Sequence, residues 1–148
     1  RRGAVSTALP DPLAEIRDDF HALGEKDRLQ LLLEFSNELP ELPPEHRDRT
    51  DLFERVEECQ SPVFLLVDVR DGTVHVHATA PAESPTTRGF ASILVQGLSG
   101  LSVDAVLAVP ADFAFYLGLT SAVSPLRLRG MTGMLGRIQR QVREKSAA

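Results

Sequence analysis

The sequence predicts an α+β domain in which a small antiparallel sheet, built on one β-hairpin, packs with N-terminal and C-terminal helices. Apolar residues recur at helical spacing before residue 39 and again after residue 84. Between these segments, an apolar run from Val63 to Val69 is followed by Asp71-Gly72 and by strict alternation over residues 74–79. Because helices flank a hairpin, the order of elements differs from the alternation of strands and helices that forms a parallel sheet.

Length and composition place the chain among globular proteins with one domain. Its 148 residues are 43% hydrophobic and 25% charged, which excludes a disordered chain and allows a proper core. We expect a single domain over residues 9–145, with short tails at 1–8 and 146–148. No apolar run approaches the ~20 residues of a membrane span, and no apolar segment of a secretory signal follows Arg1-Arg2. One cysteine suits a reducing compartment, so a cytoplasmic location without membrane contact is expected.

Two helices are predicted before residue 39. Asp11 is the expected cap of the first, Pro12 lies in its first turn, and Gly24 follows its end. Its apolar positions are Leu13, Ile16, Phe20 and Leu23. The second is expected from about Lys26 to Glu38, after which prolines make residues 39–44 a rigid linker. Residues 45–58 are expected to form loop and short turns.

The hairpin prediction includes its register. Asp71-Gly72 suits a type I′ turn, which needs positive φ at both central positions. This turn places Val74 opposite Val69 and Val76 opposite Val67, so that one face of the hairpin is continuously apolar. A third strand is expected, although no pattern marks its position.

Proline and serine mark the helices that follow the hairpin. Ser84-Pro85 opens one helix, and Ser102 caps a short one through about Leu107. Residues 112–117 suggest one or two further helical turns. Ser124-Pro125 opens the last helix, whose apolar stripe is expected in the core: Met131, Met134, Leu135, Ile138 and Val142.

Charge is unevenly distributed along the chain, whose net charge is −5. Residues 11–58 hold fifteen acidic and six basic side chains, which suggests an acidic docking surface for a basic partner. Residues 127–145 hold six basic side chains and one acidic, a pattern typical of the solvated face of a helix. With no Trp and one Tyr to stack on bases, the chain is not expected to bind nucleic acid.

Cys59 is the chain's single cysteine, so an intrachain disulfide and a Cys-x-x-Cys pair are excluded. A lone cysteine is often a small buried hydrophobe, but this one stands in a turn-rich stretch before the apolar run. Glu57 and Glu58 precede it and favour the neutral thiol. We therefore expect a nucleophile that is weak until its surroundings change.

Other chemistries remain alternatives at this point. His75 and His77 share one face of their strand with Asp68, a set that could bind a metal, but a polar outer face explains the pattern equally well and no resident metal is predicted. A cysteine hydrolase would need a histidine beside Cys59. The candidates are the four histidines of the chain: His21, His46, His75 and His77.

The motif Cys59-Gln60-Ser61-Pro62, together with the earlier Leu39-Pro40-Glu41-Leu42, resembles the SufE family of sulfur acceptors for cysteine desulfurases. Asp71-Gly72 and Arg88-Gly89-Phe90 follow in the family's order, as does Ser124-Pro125-Leu126-Arg127 before Gly130-Met131. The resemblance extends from about Leu9 to Val142.

The resemblance implies a persulfide carrier that stimulates a SufS-like cysteine desulfurase and delivers sulfur to iron–sulfur scaffold proteins. Cys59 would be the acceptor, Arg127 a nearby cation, and Gln60, Ser61 and Glu83 supports of the loop. The pyridoxal phosphate belongs to the desulfurase, so no cofactor is expected on this chain.

Two positions depart from the family pattern. Glu58 stands where the family has Gly, and Pro81-Ala82-Glu83 replaces an Asp-Ser-Asp-like run. We expect Cys59 to rest protonated, tucked against apolar residues such as Phe64, until docking on the desulfurase brings its loop out. The alternatives are a docking module that regulates a partner without carrying sulfur and, third, the cysteine hydrolase.

Overall fold

The computed structural model describes residues 9–147 and contains six α-helices and three strands within that range. The helices are α1 (Asp11–His21), α2 (Glu25–Asn37), α3 (Pro44–Arg47), α4 (Pro85–Leu98), α5 (Val103–Leu107) and α6 (Pro125–Ser146). The strands are β1 (Glu54–Arg55), β2 (Phe64–Arg70) and β3 (Thr73–Thr79). Short 3₁₀ turns cover Thr50–Leu52 and Phe113–Leu117. This is the predicted α+β class, with the hairpin between two groups of helices.

The sheet is antiparallel, in the order β1-β2-β3. Asp71 and Gly72 have φ values of 53° and 76°, which confirms the predicted turn between β2 and β3. Val67 pairs with Val76, and Val69 pairs with Val74, as expected. The apolar face packs on α4 and α6, and the opposite face carries Phe64, Leu66 and the polar residues of both strands.

The helices enclose one core, to which all the predicted stripe residues of α6 contribute. Ser102 and Ser124 cap α5 and α6, since each hydroxyl accepts a backbone N–H of the first turn. The predicted cap at Asp11 is wrong, because Pro10 occupies the N-cap position and Asp11 lies inside the first turn of α1. None of the helices within residues 9–147 is both long and apolar enough to cross a membrane.

The third strand, β1, lies in a segment that was predicted to be loop. Its two residues, Glu54 and Arg55, pair with Leu65 and Phe64. At the C-terminus, α6 continues to Ser146, one residue beyond the predicted domain boundary. The predicted N-terminal tail, residues 1–8, lies outside the described residues.

Candidate functional site

Cys59 lies on a short loop between β1 and β2 that is held closed at its base. The Val56 N–H donates to the Val63 carbonyl at 2.9 Å, and the Cys59 N–H donates to the Val56 carbonyl at 3.1 Å. Val56 and Val63 are both fully buried. The core therefore anchors both ends of this segment, residues 56–63, which we call the Cys59 loop.

The thiol of Cys59 is turned inward, against α6. Only 7% of the residue is exposed, and its Sγ lies 3.8 Å from the Gly130 carbonyl, to which the S–H donates weakly. A Cβ at position 130 would stand 3.1 Å from Sγ, so glycine allows this close approach. The expected burial of the thiol is thus found, with α6 as its contact. Phe64 lines a separate cavity with Leu42, Thr50, Phe53 and Thr79.

Burial and a neighbouring carboxylate both keep the thiol neutral. Burial raises the pKa of Cys59 to about 11, the Glu58 carboxylate adds to this rise, and Arg137 opposes it. At neutral pH the resting protein therefore presents a thiol rather than a thiolate.

A cavity of about 180 Å³ lies beside the thiol, and all five predicted site residues line it: Cys59, Gln60, Ser61, Glu83 and Arg127. Three parts of the chain meet here, namely the Cys59 loop, the N-terminal end of α4 and the N-terminal end of α6. The Ser61 and Ser84 hydroxyls are 2.6 Å apart and join the loop to the start of α4. Residues that are distant in the sequence thus form one small polar site.

Arg127 supplies this cavity with a cation. It is the third residue of α6, and its backbone N–H donates to the Ser124 hydroxyl at 3.3 Å. Among residues 9–147, no carboxylate forms an ion pair with its guanidinium. The positive charge is therefore available to an anion that enters the cavity.

A cluster of ion pairs that the sequence does not predict joins β1 and the Cys59 loop to α6. Arg137 of α6 donates to Glu58 at 2.8 Å and to Glu54 at 2.6 Å, and Arg140 also pairs with Glu54. The hydrogen bond from Arg137 lowers the pKa of Glu58. The sequence offered only a coarse signal for this cluster, since acidic residues dominate its first part and basic residues its end.

The histidines do not complete a catalytic pair with Cys59. Within the described part of the chain, no histidine lines the thiol's cavity. His21 instead donates to the Tyr116 carbonyl at 2.7 Å, which joins α1 to the second 3₁₀ turn. Asp68 pairs with His75 across the hairpin, as the register predicts. Of the alternative metal set, however, the structure brings only Asp68 and His77 together, with His46 as their third member, and His75 lines a shallow groove beside the hairpin turn.

Comparison with known proteins identifies the fold and the family. The family described as "SufE: Fe-S metabolism associated domain" matches residues 14–142. The chain belongs to the SufE family. This confirms the resemblance seen in the sequence and links the protein to iron–sulfur metabolism.

Individual relatives are similar to this chain over nearly its whole length. An uncharacterised SufE-like protein of Mycobacterium tuberculosis is 54% identical over 138 residues, which cover 93% of this chain and 95% of that protein. SufE-like protein 1 of Arabidopsis thaliana, named chloroplastic/mitochondrial, is 34% identical over 90% of this chain but 35% of its own length. The solution structure of a hypothetical protein from Thermus thermophilus superposes with a TM-score of 0.83 at 39% identity, and covers 95% of this chain and all of that one.

Proposed function

We propose that this protein accepts a sulfane sulfur on Cys59 from the persulfide of a cysteine desulfurase, stimulates that enzyme, and delivers the sulfur to iron–sulfur scaffold proteins. The observation that carries the proposal is the placement of the chain's single thiol at a small cavity that also holds the guanidinium of Arg127. Membership of the SufE family supports a desulfurase as the partner.

The transfer is a thiol–persulfide exchange in which no net oxidation occurs. The Cys59 thiolate attacks the terminal sulfur of the desulfurase persulfide, a new S–S bond forms on Cys59, and the desulfurase cysteine leaves as a thiolate. The proton of Cys59 must be lost first. In the second step, an acceptor thiolate attacks the terminal sulfur on Cys59, and Cys59 is the leaving group.

The cavity suits the charge that this exchange creates. The N-terminal ends of α4 and α6 carry partial positive charge and both border the site, as does Arg127. A persulfide anion on Cys59 would be stabilised there once the thiol turns away from Gly130. Leu126, whose side chain is exposed at the same rim, offers apolar surface to a docked partner.

The cofactor of the overall reaction belongs to the partner. Pyridoxal phosphate on the desulfurase releases sulfur from free cysteine, and the present chain contributes a thiol and its surroundings. We place the exchange in the cytoplasm, where thiols stay reduced.

The two alternatives make different predictions. A self-sufficient cysteine hydrolase is disfavoured, because within residues 9–147 no histidine reaches the cavity of Cys59. A docking module that regulates a partner without carrying sulfur would tolerate loss of the thiol. Replacing Cys59 therefore distinguishes the proposal from the regulatory module.

Intact-mass measurement after incubation with a cysteine desulfurase and free cysteine tests the proposal. We expect the wild type to gain one sulfur atom, released by reductant, and Cys59→Ser to gain none while it still binds the desulfurase. If Cys59→Ser stimulates the enzyme as well as the wild type and neither gains sulfur, the regulatory module is correct. Absence of binding by both proteins would contradict both functions.

The pair between Glu58 and Arg137 is expected to restrain the Cys59 loop. Glu58 adjoins the thiol in sequence, and its side chain packs so closely on α6 that a Cβ on Gly133 would lie 2.7 Å from it. Half-exposed ion pairs stabilise by roughly 0–1 kcal/mol, so Glu58→Gln and Arg137→Gln should each speed alkylation of Cys59 by about two- to fivefold. Iodoacetamide labelling near neutral pH, followed by mass spectrometry, measures the rates.

Glu57→Gln is the matched control, since among the described residues its carboxylate has no hydrogen bond or ion pair with a side chain. Of the two carboxylates expected to favour the neutral thiol, only that of Glu58 raises the pKa of Cys59. Glu57→Gln should leave the rate nearly unchanged. If charge alone controlled the labelling rate, Arg137→Gln would slow labelling, because loss of this cation raises the pKa of Cys59 further. A slower rate in Arg137→Gln with a faster rate in Glu58→Gln would thus refute the restraint.

A further inference from the structure

Three side chains with metal-binding atoms converge on the outer face of the sheet, away from the Cys59 cavity. Asp68 of β2 and His77 of β3 are diagonal neighbours in the hairpin, and His46 of α3 lies over them. The His46 Nε2 donates a hydrogen bond to the Asp68 Oδ2 at 3.1 Å, and the His77 Nε2 is 3.4 Å from the same oxygen. One ligand atom from each residue lies within 4.8 Å of the other two.

One atom of this group lacks a partner. The Nε2 of His77 is inaccessible to solvent and makes no hydrogen bond to any described residue. The Asp68 oxygen is within ion-pair distance of it, but their geometry does not meet that of a hydrogen bond. Buried polar atoms are rarely left unsatisfied, and each such atom calls for an explanation. A bound ion between the imidazoles and the carboxylate would provide one.

We propose that His46, Asp68 and His77 form a binding site for a divalent transition-metal ion such as Zn²⁺. Tetrahedral zinc bonds of about 2.0–2.1 Å place neighbouring ligand atoms about 3.3–3.4 Å apart. The two nitrogen–oxygen separations, 3.1 and 3.4 Å, are close to this edge length. Small side-chain rotations would complete the triangle of ligands. Two imidazoles and one carboxylate are also a ligand set that transition metals favour over Ca²⁺ or Mg²⁺.

The fold holds the three ligands without help from a metal. The register of the hairpin fixes Asp68 relative to His77. Pro43 and Pro44 start α3, and the His46 N–H donates to the Pro43 carbonyl at 2.9 Å. The ring of Phe53 stands edge-on to His46, with centroids 6.4 Å apart. This support from backbone and packing is what a preorganised site requires.

The site is open on the carboxylate side. The side chain of Asp68 is 31% exposed, whereas those of His46 and His77 are each 14% exposed. A metal can enter from that side, and a fourth ligand from solvent or a partner can complete the coordination. Three protein ligands with an open fourth position are typical of exchangeable or reactive zinc sites rather than of closed structural ones. This site lies outside the proposed sulfur-carrier chemistry, because none of its residues lines the Cys59 cavity.

Competition for Zn²⁺ against a chromogenic chelator tests the proposal, with every protein in a Cys59→Ser background so that the thiol cannot bind the ion. We expect one equivalent of Zn²⁺ to bind. His77→Gln should weaken the binding of Zn²⁺ by at least about tenfold. Loss of a residue that only supports a metal ligand already costs about ten- to a hundredfold in affinity, and His77 is proposed as a ligand itself. His75→Gln is the matched control, because this histidine lies on the same strand and the same face but outside the group. It should bind Zn²⁺ like the parent.

Asp68→Asn provides a second variant, since a similar-sized amide on a partly exposed side chain preserves the packing of the hairpin. Absorption spectra with Co²⁺ in place of Zn²⁺ give an independent readout, and we expect the intense visible bands of four-coordinate Co²⁺ in the parent and the His75→Gln protein. The proposal is overturned if the parent binds no stoichiometric Zn²⁺, or if His77→Gln and Asp68→Asn bind it as tightly as His75→Gln.

Discussion

In the free protein, Cys59 is expected to react with iodoacetamide at pH 7 at least about a hundredfold more slowly than an unhindered cysteine. Burial raises the pKa of its thiol from the usual value of about 8.5 to about 11, so the reactive thiolate is at least about a hundredfold rarer at neutral pH. Burial of the sulfur against Gly130 slows access further. Both effects act in the same direction.

The pH profile of this reaction carries the clearest signature. Because only the thiolate reacts, the rate should rise about tenfold per pH unit and level off only near pH 11. The same chain unfolded in urea is the control, since its Cys59 has an ordinary environment and its rate should level off near the usual pKa of about 8.5. A plateau near pH 7 in the folded protein would contradict the buried, neutral thiol.

Low reactivity at rest is an advantage for a sulfur carrier. Oxidation of cysteine follows thiolate character and exposure, so a neutral buried thiol survives between transfers. The proposed partner must then change both properties. If a desulfurase in excess speeds labelling of Cys59 when its own persulfide is absent, docking itself exposes the thiol.

Local patterns made the hairpin and several caps predictable from the sequence. Asp71-Gly72 fixes its turn through backbone φ alone, and Ser102 and Ser124 cap helices that begin directly after them. The strand β1 has no such signal, because two residues cannot show alternation. Its pairing depends on the neighbouring edge of β2, which is a tertiary effect.

Part of the candidate site could be predicted from the sequence, but not from the local patterns that predict the hairpin. The position of the single cysteine before an apolar run points to Cys59, and the family resemblance implies that Arg127 lies near it; the structure brings both to one cavity. The sequence does not point to Arg137, since nothing local connects it with Glu58. From the sequence alone His46 is a candidate only for a hydrolase pair, because α3 must fold over the hairpin before His46 can meet Asp68.

The charge pattern gains a partly different interpretation from the structure. Glu54 and Glu58, at the end of the acidic segment, pair with Arg137 and Arg140 of the basic helix. Part of the charge asymmetry therefore stabilises contacts within the domain. The acidic docking surface remains a prediction for the other carboxylates, and a salt-independent association with the desulfurase would count against it.

The motif Arg88-Gly89-Phe90 has a structural explanation in the packing of α4. Arg88 donates to the Ser36 carbonyl at 2.9 Å and to the Ala80 carbonyl at 2.6 Å, so it joins α4 to the end of α2 and to the segment after β3. Phe90 is fully buried in the core. Gly89 lies between them, where α4 approaches α2. This arrangement positions the start of α4, which forms one wall of the Cys59 cavity.

Gly89→Ala should therefore lower the free energy of unfolding by about 1–2 kcal/mol. A Cβ at position 89 would lie 2.5 Å from the Leu32 carbonyl oxygen, and a backbone atom cannot rotate away as a side chain can. The two helices must separate, and overpacking of this kind typically costs about 1–3 kcal/mol, occasionally more. Because the clash is with backbone, a cost near the upper end is expected, and the better helix propensity of alanine offsets about 1 kcal/mol of it. The midpoint of urea unfolding measures the loss, provided that the slope is unchanged.

Gly136→Ala is the matched control for this prediction. The substitution is the same and also lies within a helix, but beyond the adjacent backbone of α6 itself a Cβ at position 136 has no atom within 4 Å. It should stabilise the protein by roughly 0.4–1 kcal/mol, since alanine restricts the unfolded chain and favours helix. Opposite signs for the two variants would attribute the effect to the contact between α4 and α2. Equal effects would show instead that backbone propensity decides both, and that α4 does not depend on glycine at position 89 for its place beside the Cys59 loop.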